Sequence, residues 1–334
     1  MRHFYYFYFI ICLTLFSSCE KSELERKDSL SQEANLILER YSKLLKQRNV
    51  SDSFLFFTDP HLLGSDDEFS QETKINLDSS FDLAKELYDI LKPNFCLCGG
   101  DWLNQRDSQE KAKEKLLYAD KLMKSKFRPY YKMMGNHDTN YQGIVSSHDS
   151  SRGDLPRTFV DNHYFSESGS AFYSFKSGMS EFFILDSGID WSLEMDDYRN
   201  EQIKWLSLQL LNSKSLHKII GLHMVFVSTP DVTKITPMAK EVVSICNSFN
   251  THKIYKGKEF EVDFTNSEGL VHFILTGHCH MDFVENVSGI PIIGTRTFYD
   301  RTHPFDICTL DFNSGFLDMI RVGEGVDRRV QILI

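Results

Sequence analysis

The sequence predicts an α/β domain, and three observations point to it. From Ser53 onward, short apolar runs alternate with segments of helical periodicity, the order that builds a sheet covered by helices. Five of those runs end directly in Asp, Asn or His, often with a glycine just before, and in open α/β sheets ligands bind outside the carboxyl ends of the strands. The length of 334 residues, 41% hydrophobic and 25% charged, suits one large or two modest globular domains. A balance of 37 Lys+Arg against 47 Asp+Glu, net −10, disfavours a protein that tracks nucleic acid, since basic surface supplies most of that affinity. No nucleic-acid partner is therefore expected. Seven cysteines are too sparse for a disulfide scaffold.

The N-terminus reads as a separate piece. Arg2 is followed by a run without charge from Phe4 to Phe16. That is too short for a membrane span, which needs ~20 apolar residues, but it suits the apolar region of a signal peptide over residues 1–18. Ser17-Ser18-Cys19 resembles the lipobox of bacterial lipoproteins, with Phe16 where leucine is usual. Cys19 would then be lipidated, and the protein exported and anchored to a membrane. A plain secretory signal cleaved nearby is the alternative. Residues 19–50 read as a charged tether and an amphipathic helix, with Leu30, Ala34, Leu36, Ile37, Tyr41, Leu44 and Leu45 at helical spacing. The domain proper is expected over residues 51–334.

Within it, the run at residues 53–58 predicts a strand that ends in Asp59-Pro60-His61. A helix follows over 78–91, with Phe81, Ala84, Leu87, Tyr88 and Leu91 on one face and Pro93 stopping it. The strand 95–98 ends in Gly99-Gly100-Asp101. Asp107, with Glu110 three residues later, predicts the N-cap of a second helix. The strand 130–134 ends in Gly135-Asn136-His137-Asp138. Strands are expected at 171–175 and 181–185, a helix at 198–211, and a short strand at 218–220 ending in Gly221-Leu222-His223. Another at 271–275 ends in Thr276-Gly277-His278-Cys279-His280, and 283–334 reads as further strands. Cys96, Cys98, Cys246, Cys279 and Cys308 show no zinc-site spacing and read as buried thiols.

Residues two apart in an extended segment face the same way, so Asp59 and His61 can share a target, as can His278 and His280. Cys279 then points elsewhere. The glycines would let the chain turn as it leaves the sheet. Two carboxylates, one amide and four imidazoles without a thiolate suit divalent transition metals such as Mn, Fe or Zn. Seven side chains exceed one ion's needs. Two ions sharing a bridging carboxylate would use them.

The ordered blocks Asp59-x-His61, Gly100-Asp101, Gly135-Asn136-His137-Asp138, His223 and Gly277-His278-x-His280 resemble the calcineurin-like metallophosphoesterase superfamily over about 53–280. A further hint is 202–206 (QIKWL) after 183–186 (FILD), similar to a strand-to-helix passage in extracytoplasmic branches of that family. The resemblance implies two stacked mixed β-sheets flanked by helices, a four-layer αββα sandwich. It implies Asp59, His61, Asp101 and His280 around the first ion, and Asp101, Asn136, His223 and His278 around the second. His137 would act as general acid for the leaving alkoxide or as an electrophilic partner to its charge, with Asp138 orienting the imidazole. A hydroxide held between the ions would attack phosphorus in line. The substrate would be a small phosphate ester. Phosphomonoester, phospholipid, glycerophosphodiester and cyclic-nucleotide specificities stay open, as does a metal-containing binding lipoprotein without turnover. Asn104 stands where the purple acid phosphatases of the superfamily carry a tyrosine ligand, so no tyrosinate-to-iron colour is expected.

Two long insertions, 139–170 and 224–269, are expected over the metal site. They bring Arg152, Arg157, His148 and His163, and Lys253, Lys256 and Lys258. Arg296, Tyr299 and Arg301 are further candidates for the pocket.

Overall fold

Strand β1 (Asp52–Phe57) is buried along its whole length, and its two faces look into different layers. The structure, a computed structural model, describes residues 31–62, 71–104, 107–140, 155–188, 196–229 and 232–334. The signal segment, Cys19, Arg152 and His148 lie outside them. Phe54 and Phe56 enter a core shared with a second sheet, while Phe57 turns the other way onto Phe81, Trp102 and Phe298. This period-two alternation is what a strand buried on both sides requires.

The first sheet runs β16-β15-β14-β1-β2-β3. Here β2 is Phe95–Cys98, β3 Tyr130–Lys132, β14 Phe305–Asp311, β15 Phe316–Val322 and β16 Arg328–Gln331. Strands β1, β2 and β3 are parallel, and β14 to β16 add antiparallel pairs. The second sheet runs β12-β13-β11-β6-β5-β4. Its β5 (Ser180–Leu185), β6 (His217–Leu222), β11 (Leu270–Thr276) and β13 (Ile290–Gly294) are parallel. Antiparallel β4 (Tyr173–Ser177) and β12 (Phe283–Val287) form its edges.

The sheets stack through Phe54, Phe56, Phe95 and Leu97 from the first and Phe182, Ile184, Ile219 and Phe273 from the second. Phe95 stacks on Phe54 at 4.9 Å and stands edge-on to Phe182 at 5.0 Å. Each such ring contributes about 1.5–3 kcal/mol by burial. Helices Asp196–Asn212 and Pro237–Asn250 cover the outer face of the second sheet through Ile203, Leu206, Leu210, Val242 and Phe249. On the other side, Phe81 and Phe127 join β1 to the helices Asp82–Leu91 and Gln109–Lys126. The result is an α/β fold of two mixed sheets flanked by helices.

The chain divides into two units between Gln47 and Arg48. In the first, the helix Gln32–Leu45 is capped by Ser31, whose Oγ accepts the Ala34 N–H at 3.1 Å. Among the described residues, no helix is long and apolar enough to cross a membrane.

Local expectations differ from the structure at two helices. The helix expected over 78–91 is two, Gln71–Ser80 and Asp82–Leu91, because Phe81 leaves the helical path to pack under β1. The second helix is capped by Ser108, not Asp107. Asp107 is engaged instead by the buried Lys115 ammonium at 2.7 Å, a charge-assisted bond that outweighs a cap.

Candidate metal centre

Five of the seven expected ligands sit in the left-handed backbone region: Asp59 (φ 54°), His61 (φ 41°), Asp101 (φ 60°), His278 (φ 67°) and His280 (φ 54°). Such residues cost on the order of 1–3 kcal/mol each and persist where their surroundings over-determine them. The pairs Asp59/His61 and His278/His280 therefore do not converge through extended alternation. The chain curls around the point they share.

Gly100 turns as expected, with φ 99°, but Gly135 and Gly277 do a different job. At Gly135 a Cβ would run into the Asp101 backbone N and carboxylate, and it would stand 2.8 Å from the Asp101 Cα. At Gly277 it would lie 2.8 Å from Asp59 Oδ2 and 2.9 Å from His223 Nδ1. The ligands turn and these glycines make room. Gly135→Ala is expected to cost about 1–3 kcal/mol, as overpacking does, and to weaken metal binding by displacing Asp101. Thermal melts with and without metal would check both effects; a variant with wild-type stability and metal affinity would refute the close-packing role.

The side chains meet in overlapping groups. Asp59, His61 and His280 form one, and Asp101, His223 and His278 another, each with ligand atoms within 4.8 Å of one another. His280 Nε2 lies 3.2 Å and His61 Nε2 3.7 Å from Asp59 Oδ1. His223 Nε2 lies 3.1 Å from Asp101 Oδ2 and 3.9 Å from Asp59 Oδ1, linking the groups. Asn136 Oδ1 joins the second through His278 Nδ1 at 2.8 Å. His137 also belongs geometrically, with Nε2 3.9 Å from Asp101 Oδ2 and its ring 4.8 Å from that of His61.

Carbonyls set the imidazole tautomers. Leu103 O lies 3.0 Å from His61 Nδ1, and Gly99 O lies 2.5 Å from His223 Nδ1. A carbonyl only accepts, so both Nδ1 atoms carry hydrogen and both Nε2 atoms face the centre. His223 Nε2 and Asp101 Oδ2 are both buried with no hydrogen-bond partner beyond each other. Two such atoms at 3.1 Å call for positive charge between them. Without metal that charge is a proton: against the opposing effect of burial, Asp101 raises His223 to about 10. Reciprocally, His223 and then His137 hold Asp101 well below the usual carboxylate range despite its burial. Burial, helped by His223, pushes His278 down to about 4, keeping it neutral. A divalent cation replaces the proton with the same sign and suits an O/N donor set.

Asp138 departs from its expected role. It is fully buried, and its oxygens accept four backbone N–H groups, from Asp101 at 2.9 Å, Trp102 at 2.7 Å, Leu103 at 3.1 Å and Gly135 at 3.0 Å. It thus fixes the turn presenting Asp101, while His137 is tied in by its own backbone N–H donating to Asp101 Oδ1 at 2.8 Å. Sequence reasoning missed two threonines. Thr58 donates to Asp59 Oδ2 at 2.6 Å, and Thr297 donates to the Asp59 carbonyl at 2.7 Å. Only their positions, at a strand end and within 295–301, hinted at them.

The basic candidates lie elsewhere. Arg157 pairs with Asp161 at 2.6 Å and stacks on Tyr198, whose hydroxyl donates to Asp186. Gln202 bonds both the N–H and the carbonyl of Asp186, so the 183–206 passage locks strand to helix. His163 stacks against Phe159, one helical turn away. Lys256 and Lys258 line a cavity of about 430 Å³ with Arg199, Glu241 and Tyr255, which none of the seven ligand candidates lines; Lys253 is exposed just before β9 (Ile254–Lys256). The insertion after His223 covers the outer face of a sheet because Val242, Ile245 and Phe249 have apolar surface to bury there. Cys279 packs into that same outer core, away from the ligands, and Asn104 is exposed.

Residues 53–282 match the model of the calcineurin-like phosphoesterase family. No curated protein matches the chain. Among solved structures it is similar to purple acid phosphatase PPD1 from yellow lupin (Lupinus luteus) seeds, at 14% identity over 83% of this chain and 52% of that one, TM-score 0.47. It is also similar to GAP50, the anchor in the inner membrane complex of Plasmodium, at 11% identity over 86% and 90%, TM-score 0.48. Phosphopantetheinyl hydrolase from Mycobacterium tuberculosis matches at 12% identity over 75% of this chain and 93% of that one, TM-score 0.40.

Proposed function

The chain belongs to the calcineurin-like phosphoesterase family, and from that premise we propose that it hydrolyses a phosphate ester with two divalent transition-metal ions. The observation that carries this reading is the buried pair His223 Nε2 and Asp101 Oδ2, 3.1 Å apart and with no further hydrogen-bond partner for either atom. Asp59, His61, Asp101 and His280 would hold one ion, and Asp101, Asn136, His223 and His278 the other, with Asp101 serving both. Mn, Fe and Zn all suit this donor set. When bound, the ions supply Lewis acidity toward the phosphoryl oxygens and activate the attacking water.

The chain's own residues do the rest. Asp101, fixed by Asp138, holds the two halves of the site at one spacing. His61 and His223, locked by their carbonyl partners, keep Nε2 lone pairs directed inward. His137 is more open, its side chain 22% exposed, at a place where it can give a proton to the departing alkoxide.

Metal analysis, together with hydrolysis of p-nitrophenyl phosphate and bis(p-nitrophenyl) phosphate, tests the reading. Turnover of at least one ester by Mn- or Zn-loaded protein, abolished by chelation, is expected. Tightly bound metal with no turnover of any phosphate ester in a broad panel would favour a metal-containing binding protein instead. We further place the protein outside the cytoplasm, tethered to a membrane through Cys19. Cys19→Ala is expected to move it from the membrane fraction to the soluble one; unchanged fractionation would rule out the lipid tether.

A further inference from the structure

Three loops around the exposed edge of the metal centre are tied to one another. The first, 278–282, carries His278 and His280 and ends in Asp282, whose Oδ1 accepts the Arg296 N–H at 3.1 Å. The second, 295–301, is pinned to the centre by Thr297, which donates to the Asp59 carbonyl at 2.7 Å and accepts the Tyr299 N–H at 3.1 Å. The third, 323–327, is held by Arg296 bonding Glu324 at 3.0 Å and by the Glu324 N–H bonding Thr302 Oγ at 2.9 Å. Beneath them, buried Arg321 pairs with Asp282 and Asp306. Phe298, next to Tyr299, stacks on Phe81 at 4.4 Å and anchors the second loop to the core.

Each loop presents one exposed apolar side chain: Met281 at 52%, Tyr299 at 49% and Val326 at 71% exposure. Met281 directly follows His280, and the Tyr299 ring stands 6.5 Å from that of His61. Val326 follows Gly325, at which a Cβ would be 3.1 Å from Asp282 Oδ2. Large apolar groups held in water on a fixed scaffold beside a reaction centre mark a contact surface. Of the two arginines in the second loop, Arg296 is committed, pairing with Asp300 at 3.0 Å as well as with Glu324, while Arg301 is exposed at its far end.

We propose that Met281, Tyr299 and Val326 form an apolar lip that binds the leaving group, so that the substrates are phosphate esters of aromatic or otherwise apolar alcohols. This rests on the phosphoesterase reading, because the lip selects what hangs from a phosphoryl group held at the metals. Tyr299 is the specificity-determining residue. Its ring faces that of His61 at 6.5 Å, and its backbone is fixed to Asp59 through Thr297.

Methylphosphonate and phenylphosphonate test this on the metal-loaded full-length protein, since neither is hydrolysed and they differ only in the apolar group. By calorimetry, the wild type is expected to bind phenylphosphonate about tenfold tighter, a gain that a partly covered ring provides. Tyr299→Ala should bring that ratio close to one, and Tyr299→Phe should keep it. Equal affinity for the two phosphonates in the wild type, or a ratio that survives Tyr299→Ala, overturns the lip and leaves the phosphoesterase reading intact. Binding of neither phosphonate by the metal-loaded wild type overturns both.

Discussion

Asp101→Asn is expected to strip metal from both halves of the site and to abolish turnover. The amide keeps the shape of the carboxylate, and its oxygen can still accept the His137 N–H that Asp101 Oδ1 accepts at 2.8 Å. What it loses is the charge that two metal groups share, for Asp101 belongs both with His61 and His137 and with His223 and His278. The loss should therefore exceed the roughly 10–100-fold typical of residues that merely support ligands. Elemental analysis of the purified variant beside p-nitrophenyl phosphate kinetics would check it. Two equivalents of metal retained by Asp101→Asn would remove Asp101 from the bridging position.

His137→Ala, by contrast, is expected to keep the metal and lose roughly 10²–10⁴-fold in kcat, the usual worth of a positioned acid. The ring lies close enough to Asp101, 3.9 Å by Nε2, that geometry alone would also allow it as a ligand. Burial lowers its pKa in spite of Asp101. The leaving group separates the two roles. p-Nitrophenolate departs readily without a proton, whereas an alkoxide does not, so an acid's removal should slow an alkyl phosphate far more than the nitrophenyl ester. Equal losses on both, or loss of metal from the variant, would make His137 a ligand or a structural residue instead.

The strand ends were legible because each ligand block follows an apolar run and stands beside a residue with one chemical use. Asp59, Asp101 and His223 are read from chain order alone, and the structure brings His223 within 4 Å of each of the two carboxylates. Other features were not local enough to read. Asp138 looked like an imidazole partner because it is adjacent to His137, but three of its four hydrogen bonds run to the β2 exit, more than thirty residues back. Thr297 reaches Asp59 across 238 positions. Asp107 looked like a cap until Lys115, eight residues on, provided it with a buried ion pair. The lysines of the second insertion looked like pocket residues, yet the apolar face of the helix Pro237–Asn250 carries that segment to the outside of a sheet.

Chain order already carries which side chains are present and that they follow strands, and hence the donor chemistry of the centre. How they face one another comes from packing between segments far apart in the chain. Five of the proposed ligands adopt a left-handed backbone that none of them favours in isolation. That local cost is offset by bonds from distant segments: the N–H groups of Asp101, Trp102 and Leu103 on Asp138, the Thr297 hydroxyl on the Asp59 carbonyl, and the Leu103 carbonyl on His61. Strain is a property of a few consecutive residues. What holds it is contributed from both sheets, and it exists only once the chain has folded.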